Sequence, residues 1–171
     1  MTGVLSAADI RKRICQEPPL IAEYLDLETQ LQPNGFDITL RDISMMKTPG
    51  RISVNNKERI VSELSPLEYD SEGYICLEPG IYSINFNEIV HLPDNIMALA
   101  RPRSSLLRCG VTVGTAVWDA GYSGRSESLL TVHNPEGFTV QKNARVVQFV
   151  FFTLTGKTEG YNGIYQNENI G

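Results

Sequence analysis

The chain has 171 residues, enough for one domain that buries about two-thirds of its unfolded surface without disulfide staples. A net charge of −5 argues against a coat for duplex nucleic acid, which needs a basic footprint, but leaves room for a small anion held by amides and a few arginines. No apolar run approaches the ~20 residues of a membrane span, and Cys15, Cys76 and Cys109 are too scattered for a zinc or disulfide framework, so they are expected to be reduced and mostly packed.

In chain order, Met1–Ile14 is charged and has no apolar signal core, so export is not expected and a cytoplasmic location is. One short helix is predicted there. Ser6 caps it, Asp9 sits in its first turn, Ile10 and Ile14 share a face, and Pro18-Pro19 stops it. The remainder reads as short strands. Phe36–Leu40, Arg59–Val61, Tyr74–Leu77 and Ile81–Phe86 alternate apolar and polar residues, as half-buried strands do. Asn95–Ala100 and Arg145–Leu154 are continuous apolar runs that suit strands buried on both faces. Thr48-Pro49-Gly50, Glu78-Pro79-Gly80, Leu92-Pro93-Asp94 and Asn134-Pro135-Glu136-Gly137 punctuate them as turns. The expected class is all-β, a barrel or double sheet with one short N-terminal helix.

Between those strands lie the residues that carry chemistry. Arg101, Arg103 and Arg108 surround Ser104-Ser105, an anion-binding composition. A short helix capped by one of these serines would aim free amides outward, and arginines would add paired contacts to phosphate oxygens. A polar turn with solvated arginines is the plain alternative. Gly114-Thr115 separates two apolar stretches, so Val111–Trp118 is predicted to be a hairpin. Asp119 follows, either as a desolvated base or as a turn-forming aspartate, and Tyr122 between two glycines offers a flat face to a sugar. Trp118, its neighbour, should point to the opposite face and pack in the core. His91 and His133 have no metal-like spacing and read as ordinary histidines. From Thr155 the chain turns Gly- and Asn-rich, with only Tyr161, Ile164, Tyr165 and Ile170 able to pack. It reads as a frayed end or as a lid that orders over ligand.

Taken together, these segments resemble the dUTP pyrophosphatase and dCTP deaminase superfamily over most of the chain. Gln32–Leu40 is similar to the first family motif, Pro102–Leu106 to the phosphate-binding second, Trp118–Gly124 to the third, Asn143–Phe149 to the fourth and Tyr161–Gln166 to a deaminase-type tail. Five weak motifs in the family's order make a specific signal. The resemblance implies a distorted β-barrel or jelly roll, residues 1–154, followed by a flexible tail or lid, residues 155–171. It implies a cytoplasmic homotrimer with active sites between subunits. In such a site Arg103, Ser104, Ser105 and Gln148 hold the triphosphate, Arg108 is a further substrate-binding candidate, and the hairpin Val111–Trp118, with Val117, reads the pyrimidine largely through backbone groups. Tyr122 packs on the deoxyribose and leaves no room for a 2′-hydroxyl, and Tyr161, Tyr165 and Gln166 close over the substrate. Asp119 is the catalytic base. Magnesium is held by phosphates and water rather than directly by protein, with Asp37 shaping that region indirectly.

The superfamily runs two reactions on one scaffold. Its deaminases resemble one another in a glutamate ten residues beyond the aspartate. That position here is Leu129. Glu127, two residues away on the same strand face, would be displaced by roughly 6.6 Å, so Arg125–Ser128 is expected to be an ordinary polar edge. Arg108 looks deaminase-like, whereas the approach Ala116–Asp119 resembles the hydrolases. The expected activity is therefore magnesium-dependent dUTP hydrolysis to dUMP and pyrophosphate, by an archaeal-type dUTP hydrolase of deaminase-like sequence. The alternative is dCTP deamination, alone or coupled to that hydrolysis.

Overall fold

The computed structural model describes residues 3–170. Its centre is a nine-stranded curled antiparallel sheet. The path runs from Gly3–Val4 through Arg145–Thr153, Gly35–Met46, Gly80–Phe86 and Glu127–Val132 to Val111–Gly114, with Ile96–Pro102 on the other side of Arg145–Thr153. Ser123–Gly124, Ile89–His91 and Ile21–Ala22 form a second sheet. The core they enclose is aromatic at its middle: Phe149 stacks at 4.4 Å on Trp118, and both are buried. Trp118 thus lies in the core, as its alternation with Asp119 requires.

The N-terminal helix, Ala7–Ile14, forms as the sequence requires. Ser6 accepts from the Asp9 amide at 3.3 Å, Asp9 reaches back to Ser6, and Ile10 and Ile14 face the core. It is not the only helix: Leu27–Gln30 and Ser104–Arg108 add short turns.

Several strand expectations change in three dimensions. Phe36–Leu40 does not have one wet face. Asp37 and Thr39 are as buried as Phe36 and Ile38, because side chains from elsewhere satisfy them. The reverse holds for Ile96–Pro102 and Arg145–Thr153, whose apolar runs are buried on one face only. Their outward residues pair across the ladder, Leu99 with Val150 and Met97 with Phe152, and Leu99 remains 40% exposed. Arg59–Val61 is not a strand; only Ile60 bridges to Arg51. The three cysteines are free but exposed rather than packed.

The tail is docked on the body in this structure. Lys157 pairs with Asp94 at 2.9 Å, and the Thr158 amide donates to Asp94 O. Tyr161 N donates to Ala120 O at 2.7 Å, Asn167 N to Ser123 O at 2.8 Å, and Glu168 forms a parallel bridge to Gly124.

Candidate active site

The residues expected to act together fall into two groups. The first lies where Gly35–Met46 meets Arg145–Thr153. Asp37 is opposite Gln148 in the ladder, and Gln148 is also opposite Arg101. The Asp37 carboxylate receives Arg103 Nε at 3.0 Å and Arg145 Nη1 at 3.3 Å. Burial pushes the Asp37 carboxyl upward, and the two guanidinium charges pull it back down. Its chemistry is that of a buried carboxylate anchoring two half-exposed arginines, not of an edge-strand acid. Ser104, Ser105 and Arg108 are exposed on the short helix beside it. That helix starts differently from expectation. Arg103, not a serine, occupies the N-cap, and its guanidinium has no acceptor to offer, so there is no side-chain cap bond; its amide donates to Val146 O at 3.0 Å.

The second group surrounds a cavity of about 270 Å³. Val117, Asp119, Tyr122, Tyr161 and Tyr165 line it, and Gln166 holds its rim by bonding Ser123 N at 3.0 Å and Gly121 O at 2.9 Å. None of Arg103, Ser104, Ser105, Arg108 or Gln148 lines it. Small-molecule clefts begin near ~300 Å³, so this one by itself is small for a whole nucleoside triphosphate. Tyr122 is buried, and its ring meets that of Tyr161 edge to face at 5.7 Å. Desolvation pushes its phenol strongly upward, so the hydroxyl stays protonated and acts as a donor.

Two expectations about this wall are corrected. Val111–Trp118 is not a hairpin. Val111–Gly114 pairs with Glu127–Val132, and Trp118 instead bridges Ala98. The chain leaves the sheet after Gly114, and the Trp118 ring packs on Phe149. Asp119 is not desolvated either: it is exposed, and its carbonyl accepts from Tyr122 N at 3.1 Å to close a turn. The turn is made by its backbone, with no side-chain bond, and the residue lines the cavity.

Arg125–Ser128 is not a polar edge. Arg125 is buried and binds Glu23 at 2.6 Å, Asn87 O at 2.6 Å and Asn169 O at 3.0 Å. Burial lowers its guanidinium pKa, and Glu23 opposes that shift. Glu127 lines the cavity, and Leu129 does not. The tail contributes a further carboxylate that sequence reasoning missed: Glu168 lines the cavity and accepts from the Tyr122 hydroxyl at 2.7 Å. Burial raises its carboxyl, the Tyr122 bond lowers it, and the nearby Glu127 charge raises it again. No local pattern marks Glu168, since its partner is 46 positions away. Among the described residues no group of three or more His, Cys, Asp or Glu is placed to hold a metal ion. No helix of the described residues is long and apolar enough to cross a membrane.

Residues 4–154 match the family model described as dCTP deaminase-like. A Methanosarcina mazei protein named "probable deoxyuridine 5′-triphosphate nucleotidohydrolase" is 53% identical over 168 residues, 98% of each chain. An Archaeoglobus fulgidus protein of the same name is 50% identical, again over 98% of both chains. Among solved structures, the 2′-deoxycytidine 5′-triphosphate deaminase of Agrobacterium tumefaciens superposes with a TM-score of 0.64 at 23% identity. That match covers 89% of this chain and 48% of the deaminase, so the chain spans about half its length, and the likeness is one of fold.

Proposed function

Since the chain belongs to the dCTP deaminase-like family, we propose that it hydrolyses dUTP to dUMP and pyrophosphate. The names of relatives about half identical to it over 98% of their length support that substrate. The observation that carries it is the cavity lined by Asp119 together with Tyr122, Tyr161 and Tyr165.

A deoxynucleoside in that cavity lies against Tyr122, and its phosphates extend toward Asp119. The carboxylate takes a proton as water oxygen bonds to the α-phosphorus, and the bond to the bridging oxygen breaks to release pyrophosphate. Holding water and phosphate in line supplies most of the rate. Magnesium, taking most of its ligands from phosphate and water, would spread the triphosphate charge. Asp37 acts at one remove, by aiming Arg103.

The arginines, serines and Gln148 that suit a triphosphate are absent from the cavity wall. A homotrimer would reunite the two groups at subunit boundaries. The half-exposed apolar face of Met97, Leu99, Val150 and Phe152 supports such packing. The enzyme we describe is cytoplasmic and acts in nucleotide metabolism.

One observation favours a second activity: Glu127 lines the cavity, so a proton-shuttling carboxylate is near the base for dCTP deamination. Both reactions are separated by incubating the protein and magnesium with dUTP or dCTP and following pyrophosphate and ammonia separately. Pyrophosphate from dUTP without ammonia from dCTP is the expected result. Ammonia would establish the deaminase. Asp119→Asn is expected to abolish turnover and spare nucleotide binding; normal turnover in that variant would overturn the mechanism.

A further inference from the structure

Tyr122 poses a problem that its neighbours in sequence do not solve. The side chain is 5% exposed, so its hydroxyl is withdrawn from water and needs an acceptor. The barrel strands do not supply one. The acceptor is Glu168 Oε1 at 2.7 Å.

The backbone that carries Glu168 is itself fixed. Its backbone bridges Gly124, its carbonyl accepts from Arg125 N at 3.0 Å, and its amide donates to Tyr165 O at 3.2 Å. Asn167 and Asn169 are tied on either side, to Ser123 and Arg125. The space around the ring is tight. A methyl group added at Gly124 would come within 2.6 Å of the Tyr122 hydroxyl oxygen. The ring therefore has little room, and two tail residues determine its pose: Glu168 at the hydroxyl and Tyr161 edge to face.

We propose that Glu168 is a positioning residue for sugar selection: by accepting from the Tyr122 hydroxyl it fixes the ring that crowds the 2′ position. The docked tail is then part of the wall that distinguishes deoxyribose from ribose, and not only a cover over it. This rests on the reading of the cavity as a deoxynucleoside site. With Glu168 gone, the phenol loses its acceptor, the ring gains freedom, and a 2′-hydroxyl meets less resistance. The oxygen of a glutamine still accepts, so Gln preserves the arrangement and Ala does not.

The test compares Glu168→Ala, Glu168→Gln, Tyr122→Phe and the double variant Tyr122→Phe/Glu168→Ala, using dUTP and UTP as substrates and dUMP and UMP in calorimetry. Glu168→Ala is expected to raise KM for dUTP about 10-fold, with kcat changing much less, and to reduce the dUTP preference over UTP by a similar factor. Gln should recover most of what Ala loses. Tyr122→Phe should match Glu168→Ala, and the double variant should be no worse than either. Unchanged sugar discrimination in Glu168→Ala, equal damage by Gln and Ala, or additive losses would each overturn the assignment. Wild-type protein that neither hydrolyses dUTP nor prefers dUMP to UMP would overturn the nucleotide reading as well. Wild-type protein that does both, beside an unaffected Glu168→Ala, would overturn Glu168 alone.

Discussion

Replacing Gly121 by alanine should lift the tail from its track while leaving the barrel folded. Gly121 has φ +86°, and a Cβ built on it would sit 2.6 Å from Gly160 Cα and 2.7 Å from Tyr161 N. Both obstacles are backbone and cannot rotate aside. Ordinary contact begins at 3.4 Å, so Gly160 must retreat by at least 3.4 − 2.6 = 0.8 Å. Tyr161 N must itself retreat by 3.4 − 2.7 = 0.7 Å, which lengthens its 2.7 Å bond to Ala120 O to at most 2.7 + 0.7 = 3.4 Å, where a hydrogen bond is much weakened. With the Gln166 bond to Gly121 O also strained, docking should weaken by about 1–2 kcal/mol at ~1 kcal/mol per bond. That corresponds to roughly 5- to 30-fold. Strain at the left-handed alanine adds about 1–2 kcal/mol against the barrel, a few degrees in Tm. Chymotrypsin cleavage after Tyr161 and Tyr165, followed by mass spectrometry, reads the tail separately from the barrel. Faster cleavage by about the predicted factor is expected. A Gly121→Ala protein whose tail is cut at the wild-type rate, with Tm lowered by the strain, would refute the steric argument.

Glu168 makes docking depend on pH. Its carboxyl is raised in the docked tail, mainly by burial, so docking favours the protonated form; that contribution is complete below the unperturbed value of 4.5 and fades as pH rises through the raised one. Tail amide resonances of Asn167 and Asn169 should therefore shift toward the free state with rising pH in wild type and not in Glu168→Gln; identical titrations in the two proteins would show that another group is responsible. Phe149→Ala removes a ring that is 1% exposed and stacked on Trp118, and should cost about 3–5 kcal/mol in urea unfolding. A loss under about 1 kcal/mol would contradict the core described above.

The sequence by itself determined what depends on near neighbours in the chain. Ser6 and Asp9 are three residues apart, so a capping box is visible in the string and appears in the structure. The motif order identified the family and its β architecture, and the one-residue alternation placed Trp118 inside while Asp119 faces out. Only the tertiary structure decided what depends on distant partners. Asp37 is buried because Arg103 and Arg145 neutralise it, 66 and 108 positions away (103 − 37 and 145 − 37). Arg125 is buried because Glu23 and Asn169 reach it, and Tyr122 is fixed because Glu168 does. The half-exposed strand pair of Leu99 and Val150 looked fully buried, because a string shows that a face is apolar but not whether anything covers it. Propensity and periodicity act over a few residues, whereas burial and charge pairing are set by whichever surfaces the completed fold brings together.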